Sequence, residues 1–172
     1  MGLVKKYIAK PIFICYNIYK IKKEINIITK GENRMGLDMY IYKRNGENDD
    51  VELAYFRKFN ALHYYILELT GTHMDSNCEE IDLTLDQLNN VLLTLKNVEG
   101  ILKNGKLDED GIYDDLTTNM VMKIFPTVSG FFWGGTAIDE FFSYHIEDGI
   151  EQIQYVIHEV ERGAKVYYYC WW

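Results

Sequence analysis

Cysteine is scarce in this sequence. Cys15, Cys78 and Cys170 are an odd number with no C-x-x-C pair, so neither a disulfide framework nor a zinc knuckle is encoded, and a reducing cytoplasm suits the chain. No apolar run reaches the roughly 20 residues that a membrane span requires. The best candidate, Ile12 to Tyr19, is interrupted by Asn17, and no clean apolar stretch with a small-residue cleavage site marks a signal peptide. The phosphate-loop pattern G-x-x-x-x-G-K-[ST], the dinucleotide pattern G-x-G-x-x-G and the zinc pattern H-E-x-x-H are all missing, and Ser129 has no G-x-S-x-G elbow around it. These absences leave no encoded cofactor, no resident metal and no membrane.

Apolar residues make up 48% of the chain and the mean hydropathy is -0.21, which excludes a disordered polymer. Aromatics reach 15%, from 14 Tyr, 8 Phe and 3 Trp, a composition that suits a packed, ligand-capable body. At 172 residues the default is one domain with a real core.

Charge divides the chain at Arg34. Residues 1–34 hold eight basic side chains against Glu24 and Glu32, whereas residues 35–172 stand at a net −14. The first segment is rich in Ile, Lys, Asn and Tyr, residues with AT-rich codons, and lacks a sustained helical apolar stripe. Lys30-Gly31-Glu32 can be encoded by a purine-rich ribosome-binding stretch, with Asn33 and Arg34 as spacer. The expectation is a translated leader over 1–34, with Met35 as the working start and a single domain over 35–172.

From Met35 the periodicities are orderly. Leu37, Met39 and Ile41 alternate with polar or ring residues, which predicts a strand over 36–43, and Asn45-Gly46 supplies a turn. Val51 to Arg57 reads as a second strand. Phe59, Leu62, Ile66 and Leu69 give a helix stopped at Gly71. Thr84 with Gln87 is a capping box ahead of a helix over 85–103, and Ile146, Ile150, Ile153, Ile157 and Val160 make a third helical stripe ending near Gly163. Lys165 to Trp172 reads as a terminal strand set into the sheet. The sum is a compact α+β domain, a small, mainly antiparallel sheet packed with about three helices.

Three stretches carry a resemblance: Met35-Gly-Leu-Asp-Met-Tyr40, Ala54-Tyr-Phe-Arg-Lys-Phe-Asn60 with His63, and Pro126-Thr-Val-Ser-Gly-Phe-Phe-Trp-Gly-Gly-Thr136 with Asp139. Together they resemble a family of small phage and prophage proteins that open with an MGLDMY-type motif. The likeness covers most of 35–172 and none of 1–34. It implies a phage accessory setting and transfers no catalytic residues. Phe56 stands where the pattern has Trp, a change that keeps a stacking face.

Chemically, Tyr55, Arg57, Lys58, Asn60 and His63 put a ring, two cations, an amide and an imidazole at a strand end and a first helical turn, a set able to hold a planar anion. The plain alternative is surface ion pairing for Arg57 and Lys58 and a packing role for His63. The second segment brings Thr127, Ser129, Phe131, Trp133, Thr136 and Asp139 around glycines that allow a ligand close to the backbone. Its alternative is a bulged turn with rings in the core. His63 and Asp139 form a general acid–base pair only if folding joins them. Asp108, Asp110 and Gly111 echo a calcium loop, but Lys106 and Thr117 fall where its acidic ends belong.

Three functions follow. The first is a phage accessory protein that sequesters a small anionic nucleotide-type ligand, such as a host immune signal. The second is an acidic inhibitor of a host nucleic-acid-binding defence protein, suggested by carboxylates at 79–86 and 107–115. The third is a small nucleotide hydrolase. Direct binding of DNA or RNA is disfavoured by the sign of the charge. The aromatic tail Tyr167 to Trp172 suggests a homodimer interface.

Overall fold

The computed structural model describes residues 36–46, 49–130 and 132–172. The expectations for residues 1–34 and for Met35 as a start lie outside the described residues.

Alternation builds the sheet. In β1 (Asp38–Lys43), β2 (Val51–Arg57) and β4 (Val166–Trp171), the side chains of Met39, Ile41, Ala54, Phe56, Val166, Tyr168 and Cys170 are all at most 3% exposed. Register pairs Met39 with Phe56 on one side and with Cys170 on the other, and Ile41 with Ala54 and Tyr168, so these residues share one face. The opposite face carries Tyr40, Tyr42, Tyr55 and Tyr169, whose rings touch at centroid distances such as 5.1 Å for Tyr40–Tyr55 and 5.5 Å for Tyr40–Tyr42. A fourth strand, β3 (Ile81–Leu83), completes the antiparallel order β2-β1-β4-β3.

The terminal strand is therefore internal, flanked on both edges. Tyr167, Tyr168 and Cys170 are buried within the chain itself, while Trp171 is 42% exposed.

Helix α1 (Asn60–Thr70) stops where Gly71 adopts φ 68°, the left-handed cap that glycine reaches without a Cβ penalty. Helix α2 (Leu85–Asn104) starts at the expected capping box: Thr84 Oγ1 accepts from Gln87 N at 3.2 Å and Gln87 Oε1 accepts from Thr84 N at 2.9 Å. Its stripe of Leu88, Val91, Leu95, Val98 and Leu102 is buried.

Helix α4 (Glu140–Glu161) begins six residues earlier than the Ile146 stripe suggested, because Asp139 caps it and Phe142 extends the buried face by one more turn. It crosses α2 closely at Gly149, where an added Cβ would lie 3.3 Å from both Leu95 Cδ1 and Phe59 Cε1. Helix α3 (Asp115–Ile124) was not expected. It buries only Thr117 and Val121, while Leu116, Met120 and Ile124 are exposed, so its apolar residues do not form one inward stripe.

None of the helices among the described residues is long and apolar enough to cross a membrane.

Candidate functional site

Strand β2 ends at Arg57, and Lys58 turns the chain into α1 with φ 55°. Its N–H donates to Leu37 O at 2.7 Å. The Lys58 stem passes between two glycines: a Cβ on Gly36 would sit 2.8 Å from Lys58 Cε, and one on Gly134 would sit 2.9 Å from Lys58 Cβ and 3.0 Å from its carbonyl oxygen. Close approach explains a glycine in each of the two motifs that flank this lysine.

Asn60, 3% exposed, is the clasp of the neighbouring loop. Its Nδ2 donates to Trp133 O at 3.2 Å and to Gly135 O at 2.7 Å, while its Oδ1 accepts from Val128 N at 3.1 Å. Thr127 Oγ1 donates to Thr136 O at 2.9 Å and closes the same loop, and Leu37 N donates to Phe132 O at 3.0 Å. The backbone of this loop is thus tied to Leu37, just ahead of β1, and to the first residue of α1.

Between this loop, the Lys58 turn and the first turns of α4 lies a pocket of about 270 Å³. Phe59, Phe142 and His145 form its apolar wall, Phe141 stands exposed at its rim, and Lys58, Asn60, Thr127, Gly134, Gly135, Ala137 and Asp139 complete it. The His145 ring stacks on Phe59 with centroids 5.2 Å apart and planes 21° from parallel. Burial lowers the pKa of His145 against the opposing influence of Asp148 and Asp139. Asp139 Oδ1 is committed to the helix, accepting from Phe142 N at 2.8 Å. Among the described residues Lys58 has no ion-pair partner, and the backbone N–H groups from Gly134 to Ala137 donate to nothing.

The expected site residues divide three ways. Lys58, Asn60, Thr127 and Asp139 line the pocket, and Thr136 closes its loop. Tyr55 and Arg57 point to the other face of the sheet, where Tyr55 OH donates to Asp38 at 2.5 Å and Arg57 Nη1 to the same oxygen at 3.2 Å. Burial and the Asp38 contact keep the Tyr55 phenol protonated. Ser129 is exposed and is not among the residues lining the pocket. Phe131 lies outside the described residues.

His63 and Trp133 belong to the core. His63 is 0% exposed, its Nδ1 lies 2.7 Å from Tyr168 OH, and its ring meets Trp133 and Trp172 edge-to-face at 4.9 and 5.4 Å. Its Nε2 is buried without a hydrogen-bond partner among the described residues. Burial pushes the His63 pKa down to about 4. His63 therefore does not pair with Asp139, which caps α4. Trp133 packs on Gly130, where a Cβ would fall 2.4 Å from the indole.

His145 and Phe141 were missed. For His145 the signal was Asp139 as an N-cap, which starts a helix whose Phe142 and His145, three residues apart, share one face. The calcium-like loop is a plain turn in which Asp108 Oδ1 accepts from Asp110 N and Ile112 N. Among the described residues there is no group of three or more His, Cys, Asp or Glu able to hold a metal ion.

No family model matches the chain, and neither a curated protein nor a solved structure matches it.

Proposed function

We propose that the protein is a ligand-capture module whose pocket takes the ring and anionic group of a nucleotide-type molecule. One observation carries this reading: the two segments meet at a single pocket that pairs a lysine lacking an ion-pair partner among the described residues with an aromatic wall. A volume of about 270 Å³ lies just under the usual 300–1,000 Å³ of small-molecule sites. It suits one ring-and-anion unit and leaves the rest of a larger nucleotide at the mouth, beside exposed Phe141. Capture rather than turnover is favoured because the Asp139 carboxylate is already occupied in capping α4. In the phage setting implied by the sequence resemblance, the captured molecule is a host signalling nucleotide.

The test is native mass spectrometry of the full chain with a panel of cyclic and linear nucleotides. One unmodified nucleotide retained per chain, lost in Lys58→Ala and kept in Arg57→Ala, is the expected result. A chemically altered nucleotide makes the protein a hydrolase, and retention of none removes the pocket reading.

A second reading, inhibition of a host defence protein, draws on a different surface. Exposed Asp108, Glu109, Asp110 and Asp115 precede Leu116 in the sequence, and Leu116 is 71% exposed, with Met120 and Ile124 following on the same helix face. A complex made there weakens steeply with salt, which pocket binding of a small ligand does far less.

A further inference from the structure

We propose that His145 is the second cation of this pocket: it takes up a proton from solvent as an anion enters, so the site holds an aryl or heteroaryl anion more tightly as pH falls. The inference rests on the pocket reading above and names its charge chemistry.

Lys58 supplies one positive charge and Asp139 one negative charge, so with a neutral imidazole the lining carries no net charge. The surrounding sequence, residues 35–172, stands at −14. An anion entering a neutral pocket in an acidic body gains little from Coulomb attraction. Protonation of His145 changes the lining to a net positive site.

His145 is placed for that role. Its ring forms part of the wall, and neither of its nitrogens has a hydrogen-bond partner among the described residues. Stacking on Phe59 fixes the plane of the ring without using its N–H groups. Groups facing it are few. From its own helix come Asp139, Asp148 and the Tyr144 ring, 6.3 Å away, and from the β2–α1 turn come Lys58 and Phe59. Asp148 is held by Gln152 Nε2 at 2.6 Å, which keeps its charge in place. Burial against Phe59 favours the neutral ring when the pocket is empty, and the two carboxylates favour the charged ring, a balance that an arriving anion tips.

The probe is benzenesulfonate, which carries the same single charge throughout the accessible pH range, so any pH dependence comes from the protein. Binding to the full chain is followed by calorimetry in two buffers of different ionisation heat and by NMR. The expected result is a Kd that weakens towards about tenfold per pH unit between about pH 6 and pH 8, with net proton uptake approaching one. His145→Gln binds weakly, with a flat pH profile. Saturable binding at pocket resonances with no proton uptake, or a His145→Gln profile like that of the wild type, overturns the role of His145 and leaves the pocket standing. No saturable binding at any pH, or shifts confined to other surfaces, removes the pocket reading together with this inference.

Discussion

Acid should unfold this protein in a way traceable to His63. The imidazole is fully buried, bonded among the described residues only to Tyr168 OH, and its pKa lies near 4 against 6.5 in an open chain. Between those values the unfolded chain binds a proton that the folded one refuses, so stability rises with pH and falls as pH drops from 6.5 towards 4. The full difference amounts to about 3 kcal/mol at about 1.4 kcal/mol per pH unit. At about pH 5 roughly 2 kcal/mol of it has gone, most carboxylates still being ionised. His63→Phe keeps a ring against Trp133 and Trp172 and removes the titration. Urea denaturation at about pH 7.5 and about pH 5 reads the outcome. With a slope of about 2 kcal/mol per molar, the wild-type midpoint should drop by about 1 M more than that of His63→Phe. His145 titrates in both proteins and cancels. Equal midpoint losses in the two proteins, or a His63 imidazole NMR signal that titrates near 6.5, would refute the reasoning.

Other perturbations probe separate links. Asn60→Ala strands two carbonyls and an N–H in the loop, so it should cost about 2–3 kcal/mol in thermal or urea unfolding and weaken nucleotide retention. Gly134→Ala forces a Cβ against Lys58 O at φ 94°, and should destabilise by about 1–3 kcal/mol, read as a lowered Tm, while disturbing the pocket. Thr84→Ala removes one half of the α2 capping box and should cost about 1 kcal/mol in urea with ligand affinity unchanged. Trp133→Ala empties a core position and should cost about 3–5 kcal/mol, visible as a large loss of urea stability.

The fold was legible wherever periodicity ran long enough. Leu37, Met39 and Ile41 announced β1, and the Thr84–Gln87 pair fixed the start of α2 to the residue. Two elements escaped for physical reasons. β3 has three residues, too few to show a period, and exists because Tyr168 and Val166 offer it a ladder. Helix α3 rests on the Asp114 cap and two buried residues, while its larger apolar side chains face outward. Its signal lay in Asp114, whose Oδ1 accepts from Thr117 N at 2.9 Å, rather than in a stripe.

The site was half legible, and strand geometry says which half. The two segments meet, since Asn60 binds the backbone at 128, 133 and 135. Tyr55 to Lys58 do not form one cluster. On a strand, neighbours alternate faces, so Tyr55 and Arg57 must point away from Phe56, whose side chain enters the core beneath the pocket wall. Lys58 escapes that alternation because its φ of 55° breaks the strand and sends its stem between Gly36 and Gly134. The same geometry makes the cation test specific. Arg57 is hydrogen-bonded to Asp38 and is not among the residues lining the cavity, so replacing it should leave capture intact, whereas Lys58, one residue on, is a lining residue.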